Sequence, residues 1–264
     1  MYDFSDKTIL ITGGSMGIGL ALTKECIQEG VGHILLVSRF EKNLKKAKGE
    51  LEKLGARKVS FFVADLSVST ERKKLYETIK NQNITVDILV NNAGFGRMID
   101  FASGDYAEFE NMIDLNVKGV VELSYLFLRD MRARKSGSII NVASVAGFQS
   151  LPFFNIYAAT KAFVLSFTEA LYGEYSAEGI RFLALCPAET NTNWLVRAGA
   201  KITKSEKYDS PENVAKVAIK SLKNGKMTII PKFSSAIFHA FIVRLLPRKF
   251  LVKGVANRYS YYKK

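Results

Sequence analysis

The chain has 264 residues, with 38 Lys and Arg against 25 Asp and Glu and a formal net charge of +13. The excess is local: residues 1–212 carry 26 basic and 25 acidic groups, whereas residues 213–264 carry 12 basic groups and no acidic one. A near-neutral body with a basic final fifth excludes a general polyanion binder, whose whole surface would be basic. At 48% hydrophobic residues the chain can bury a large core and is not disordered. Two distant cysteines, Cys26 and Cys186, exclude a disulfide framework and imply a reducing compartment. Residues 1–7 lack the basic and apolar regions of a signal peptide, and no stretch has the ~18 uncharged apolar residues of a spanning helix. The expected location is the cytoplasm.

In chain order, short apolar runs at 8–12, 34–37, 59–63, 88–90, 139–142, 182–185 and 228–230 alternate with stretches of helical apolar spacing. The helical stretches are 20–29, 44–54, 72–80, 109–132, 163–176 and 211–223. Runs without polar alternation suit strands buried on both faces. Strict alternation of strand and helix predicts right-handed βαβ units in an α/β, Rossmann-type doubly wound parallel sheet of about seven strands. There is no internal repeat or Pro/Gly/Ser-rich linker. A single domain over 1–232 is expected, followed by a basic amphipathic helical appendage at 233–264.

The first strand runs into Thr12-Gly13-Gly14-Ser15-Met16-Gly17-Ile18-Gly19, and a helix follows. Glycines let the backbone turn tightly and approach a pyrophosphate, which the N–H groups at the helix start then hold. Strand before and helix after are the context a nucleotide loop requires. Tyr157 and Lys161 are spaced by four, so on a helix they share one face. An ammonium there favours tyrosinate and lowers the tyrosine pKa from about 10 toward neutrality, which makes Tyr157 a general acid or base near pH 7.

The T-G-x-x-x-G-x-G spacing resembles the short-chain dehydrogenase/reductase family. Asp65, Asn91-Asn92-Ala93-Gly94, Asn116, Ser144 and Tyr157-x-x-x-Lys161 extend the resemblance in family order over residues 7 to about 192. Within the family, the layout is similar to ketoacyl and hydroxysteroid reductases. The resemblance implies a catalytic set of Asn116, Ser144, Tyr157 and Lys161. In that set Ser144 orients the substrate oxygen, Lys161 also binds the nicotinamide ribose, and Asn116 holds a water that links Lys161 to solvent. It implies a cofactor site of Gly13, Ser15, Gly17, Ile18, Gly19, Ser38, Arg39, Asp65, Leu66, Asn92, Ala93, Gly94, Tyr157, Lys161, Pro187, Thr190 and Thr192. Asn91 is assigned to the sheet itself.

The second strand ends in Ser38-Arg39 with no acid at that point to accept from a ribose 2′-hydroxyl, and Glu41 lies two residues further on. An arginine fork suits a 2′-phosphate, so NADP(H) is the expected cofactor. The family's Pro-Gly after strand six is Pro187-Ala188 here, which puts the φ of that loop in question. Thr190 and Thr192 both remain partners for the carboxamide. His33 and His239 are far apart, and no metal is expected.

Phe95, Val145, Phe148, Leu151, Phe153, Phe154, Trp194 and Leu195 surround the predicted pocket. They suit a small apolar carbonyl or alcohol of fatty acyl, steroid or other lipid-like type. The expected reaction is hydride transfer with NADPH. The alternative is a non-catalytic NADP(H)-binding regulatory or membrane-surface protein. The resemblance also implies a homo-oligomer, dimer or tetramer, built through the helices at 109–132 and 163–176. For the tail three readings compete: packing on its own domain or a partner subunit, an interfacial helix on an anionic membrane, or nucleic-acid binding. The last lacks a recognisable module and is set aside.

Overall fold

A computed structural model describes residues 2–199 and 208–262. Seven strands form one parallel sheet in the order β3-β2-β1-β4-β5-β6-β7. They are β1 (Thr8–Thr12), β2 (His33–Ser38), β3 (Val59–Val63), β4 (Ile88–Asn91), β5 (Gly137–Val142), β6 (Ile180–Leu185) and β7 (Thr228–Ile229). All seven apolar runs became strands, because a parallel sheet covered on both faces has no place for polar alternation. Successive residues feed opposite layers. Ile9 and Ile11 of β1 join one core with Leu22, Leu44 and Ile219, whereas Leu10 joins the other with Leu75, Leu123 and Phe127. The first layer is α1 (Gly17–Gln28), α2 (Glu41–Lys53) and, from late in the chain, α8 (Pro211–Lys223). The second is α3 (Ser69–Asn81), α5 (Val120–Arg134) and α6 (Asn155–Tyr175). Short α4 (Tyr106–Ile113) and α7 (Asn193–Arg197) lie beyond the carboxyl ends of the strands.

Two helices differ from the spacing-based expectation. The stretch 109–132 is not one α-helix: α4 and α5 are joined through a π turn at Asp114–Gly119. The long helix α6 starts at Asn155, not near residue 163. Its first turns bury Tyr157, Thr160 and Lys161, polar groups that interrupt the apolar pattern.

Polar bonds lock the centre of the sheet. Asn91 donates to Asn141 Oδ1 at 2.8 Å and to Ser124 Oγ at 3.1 Å. Asn141 in turn donates to Thr168 of α6 at 2.9 Å, so β4, β5, α5 and α6 share one buried network. That is the sheet-stabilising role expected of Asn91. Cys26 and Cys186 are both free and buried.

Arg72 of α3 is 3% exposed, donates to Glu122 Oε2 of α5 at 2.7 Å and donates to the Leu66 carbonyl at 2.7 Å. It thereby sets the loop after β3, which borders the cleft. Removing one member of a buried pair leaves the other uncompensated and costs about 3 kcal/mol. Arg72→Ala is therefore expected to lower unfolding free energy by about that amount in urea titration, and a loss under about 0.5 kcal/mol would contradict the role given to the pair.

Candidate active site

The carboxyl ends of the strands open into one cleft of about 1310 Å³. Pockets for drug-sized ligands span roughly 300–1000 Å³, so a cleft of this size has room for a dinucleotide and a substrate together.

The glycine loop forms one wall. Gly13 and Gly17 have φ of +64° and +54°, the left-handed region that a Cβ disfavours. Gly19 packs inward, where a Cβ would collide with the Gly13 carbonyl oxygen. The start of α1 has no side-chain cap, since its N-cap is Met16. Its first N–H groups are thus left for another acceptor. Thr12, which the motif reading did not count among the site residues, ties the loop to β4. Its hydroxyl accepts from the N–H groups of Asn92 (2.9 Å) and Ala93 (3.0 Å), and Asn92 Nδ2 donates back to the Thr12 carbonyl (2.9 Å).

Most expected residues line this cleft: Gly13, Ser15, Gly17, Ile18, Ser38, Arg39, Leu66, Asn92, Ala93, Gly94, Ser144, Tyr157, Lys161, Pro187, Thr190 and Thr192. Gly19, Asp65 and Asn116 are not on its surface and act from behind. Asp65 Oδ2 lies 3.5 Å from Arg39 Nη1. Burial would raise the Asp65 carboxyl, but the Ser67 hydroxyl and N–H, with the Arg39 charge, outweigh it and hold the carboxyl below its usual range.

Asn116, 1% exposed, sits in the π turn. Its amide closes a two-way bond with the backbone of Phe95, accepting at 3.1 Å and donating at 2.8 Å, and donates to Thr160 Oγ1 at 3.2 Å. Thr160 was not expected in the site; its hydroxyl passes the connection on to the Tyr157 carbonyl at 2.7 Å. A Cβ at Gly94 would come within 2.9 Å of Asn116 Oδ1 and 3.7 Å of Lys161 Nζ, so glycine lets these groups approach.

Tyr157 and Lys161 share a face of α6. Lys161 is 6% exposed, and its Nζ donates to the Val142 carbonyl at the end of β5, at 2.6 Å. Burial lowers its pKa to about 8. Burial likewise pushes the Tyr157 phenol up, and the hydrogen bond with Ser144 acts the other way. This differs from the expectation that Lys161 pulls Tyr157 toward neutrality. Desolvation disfavours both charged forms, and the ammonium, 5.6 Å from the ring centroid, is held by a carbonyl. Burial therefore favours the protonated phenol at Tyr157.

Aromatic rings set the substrate side. Phe154 stacks on Tyr157 at 4.4 Å between centroids, and Trp194 lies 5.0 Å from Tyr157, its indole N–H donating to the Gly94 carbonyl at 3.3 Å. Phe95, Val145 and Leu151 also line the cleft, whereas Phe148 and Phe153 stand outside it. The Leu195 side chain lies outside the described residues.

Ala188 settles the loop question, because it is not among the residues with positive φ. The departure from glycine therefore carries no backbone strain. The Thr190 hydroxyl donates to the Ala188 carbonyl at 2.9 Å, whereas Thr192 Oγ1 accepts from Trp194 N at 3.4 Å and keeps its own proton.

The tail also reaches the cleft. α9 (Phe233–Ile237), a π turn (Phe238–Ile242) and α10 (Val243–Leu245) form one rod, and α11 (Arg248–Arg258) follows the break at Leu246 and Pro247. Phe238 and His239 of the rod, with Tyr259, Tyr261 and Tyr262 beyond α11, line the cleft. The Tyr262 hydroxyl donates to the Gly199 carbonyl at 2.7 Å. The segment read as an appendage is part of the wall, because its inner apolar residues pack on the body. Residues 263–264 lie outside the described residues.

A family model described as short chain dehydrogenase matches residues 7–202. The chain is 27% identical to the ketoacyl reductase HetN of Nostoc, over 87% of this chain and 80% of that one. It is 29% identical to mouse 17-beta-hydroxysteroid dehydrogenase type 3, over 94% of this chain and 85% of that one. Its fold is similar to a short-chain dehydrogenase from Sphingobium yanoikuyae solved in complex with NADPH, with TM-score 0.82 and 28% identity over 93% and 94% of the two chains. The glycine loop, the Ser144–Tyr157–Lys161 group and these matches agree: the chain belongs to the short-chain dehydrogenase/reductase family of oxidoreductases, which use a nicotinamide cofactor.

With Tyr157 as proton donor, the forming tyrosinate would need the Lys161 ammonium. That ammonium is present below about pH 8 and lost above it. kcat/KM is expected to be flat below about pH 8 and to fall as pH rises beyond it; a profile that instead rises through this range would contradict Lys161 as the charged partner.

Proposed function

We propose that the protein reduces an apolar ketone to a secondary alcohol with NADPH, in the cytoplasm. The observation that carries this reading is a single cleft that holds the glycine loop and Arg39 at one end and a protonated Tyr157, walled by Phe154 and Trp194, at the other.

Bound NADPH would supply a hydride to the carbonyl carbon. The Gly13–Gly19 loop and the uncapped start of α1 would hold its pyrophosphate, Leu66 and Gly94 would border the adenosine, and Thr192 or Thr190 would bind the carboxamide. Tyr157 gives its proton to the carbonyl oxygen, and the Ser144 hydroxyl orients that oxygen. The Lys161 ammonium, close by in low dielectric, stabilises the tyrosinate left behind. The Asn116 amide braces the Phe95 backbone and, through Thr160, the first turn of α6, so the proton donor keeps its place. Phe154 and Trp194 exclude water from the phenol. Apolar lining, with the names of the ketoacyl and hydroxysteroid relatives, supports an acyl- or steroid-like substrate.

Arg39 supports NADP(H) over NAD(H). Its bond to Asp65 is long at 3.5 Å, and the two side chains are 43% and 30% exposed. Such an exposed pair contributes about 0–1 kcal/mol, whereas a charge-assisted bond to a phosphate contributes about 1.5–3 kcal/mol. The arginine therefore exchanges partners readily. The exposed faces of Tyr125 on α5 and Phe163 on α6 support a homodimer or tetramer built on those helices.

NADPH oxidation against a panel of apolar ketones tests the reading. Turnover is expected with the native protein, and Tyr157→Phe should lower kcat at least about 10²-fold while cofactor affinity stays within about twofold. Tight NADPH binding with no turnover on any ketone would favour a non-catalytic binding protein. Arg39→Asp should raise the KM for NADPH about tenfold or more and leave that for NADH nearly unchanged. Equal effects on the two cofactors would overturn the 2′-phosphate role.

A further inference from the structure

The rod from Phe233 to Leu245 has two unlike sides. Inward, Ala236 packs on the core that holds Val145 and Val164, Val243 is buried, and His239 reaches toward Phe148. Outward, Phe233, Ile237, Phe241 and Leu245 are spaced by four and all exposed, Phe233 by 79% and Leu245 by 83%. Phe250, on α11, is 68% exposed. Single exposed apolar residues are ordinary, but a continuous stripe over three turns marks an interaction surface. The nearby Arg248, Lys249 and Lys253 are exposed and form no ion pair among the described residues. No acidic residue occurs after Glu212.

We propose that this stripe docks on an anionic lipid bilayer, with the apolar side chains in the interfacial layer and the basic ones against headgroup phosphates. Charge complementarity selects this occupant. A second copy of the chain would bring two tails together, each with seven basic and no acidic residues over 233–264, and like charges would oppose the apolar gain. A nucleic acid would satisfy the cations and do nothing for four outward apolar side chains. A bilayer surface satisfies both kinds of group at once. The rod is about 20 Å long at 1.5 Å per residue, and no helix among the described residues is long and apolar enough to cross a membrane. It therefore lies in the plane of the surface.

The rod also lines the cleft through Ser234, Ser235, Phe238 and His239. Docking on its outer side sets the cleft at the lipid, so that an apolar ketone dissolved in the bilayer reaches Tyr157 past one layer of helix. This delivery rests on the proposed reduction; the docking does not.

Co-sedimentation of the full chain with phosphatidylcholine vesicles, with and without 30% phosphatidylserine, tests both. We expect binding to the phosphatidylserine vesicles that weakens as salt rises. Phe241→Asp with Leu245→Asp should reduce it at least about tenfold. Lys249→Gln with Lys253→Gln should reduce it on the order of tenfold, on the anionic vesicles only. Both double variants should retain native turnover on cyclohexanone in free solution, which shows that they fold. With a long-chain methyl ketone carried in the vesicles, the Asp double variant should lose turnover in step with binding.

No binding by the native chain, or equal binding by the Asp variant, overturns the proposal. So does a change in molar mass of the Asp variant by light scattering, which would make the stripe a subunit interface. Vesicle binding without turnover on any ketone, by any form, would leave the docking intact and remove the reduction reading alone.

Discussion

A buried ammonium must be given oxygen partners, and the whole site is arranged around that need at Lys161. Its Nζ meets the Val142 carbonyl at 2.6 Å, where β5 ends and the sheet opens into the cleft. To bring it there, α6 must begin early, at Asn155, and present its first turns to the strand ends. The space above the ammonium must stay clear, which Gly94 achieves by having no side chain. Tyr157 follows from the same placement, because four residues on a helix put it on the same face.

The groups behind the cleft hold this arrangement rigid. Asn116 can clamp the Phe95 backbone from both sides because the π turn pulls its side chain out of the regular helical register. Asn91, Asn141 and Thr168 tie the strands that end at the site to the helix that carries Tyr157. Each link satisfies a buried polar group, and each would cost more if left unpaired than an apolar substitute would. These bonds confer one geometry rather than added stability.

Desolvation then decides the protonation states. Spacing alone suggests that lysine acidifies tyrosine, but burial acts on both groups and favours their neutral forms. Burial holds the Tyr157 phenol in its protonated form and lowers the pKa of Lys161 to about 8. These states accord with the proposed reduction, in which the acid would begin protonated and the cation would be needed once the proton has left.

All seven strands, the doubly wound layering and the positions of Tyr157, Lys161, Ser144 and the glycine loop were legible in the sequence. Unbroken apolar runs and glycines at a strand end have few other physical meanings. The start of α6 and the π turn at Asn116 were not legible, because the polar residues buried there break the apolar period that announces a helix. The contributions of Thr12 and Thr160 were hidden for a related reason: a hydroxyl's partner is chosen in space, 80 and 44 residues away in these two cases. The sequence also determined that the last fifty residues are basic and apolar together. Only the tertiary structure decided that one side of that segment closes the cleft while the other leaves Phe233, Ile237, Phe241 and Leu245 exposed. Apolar residues recur on more than one side of this segment, so only the surface it packs against distinguishes its inner from its outer side.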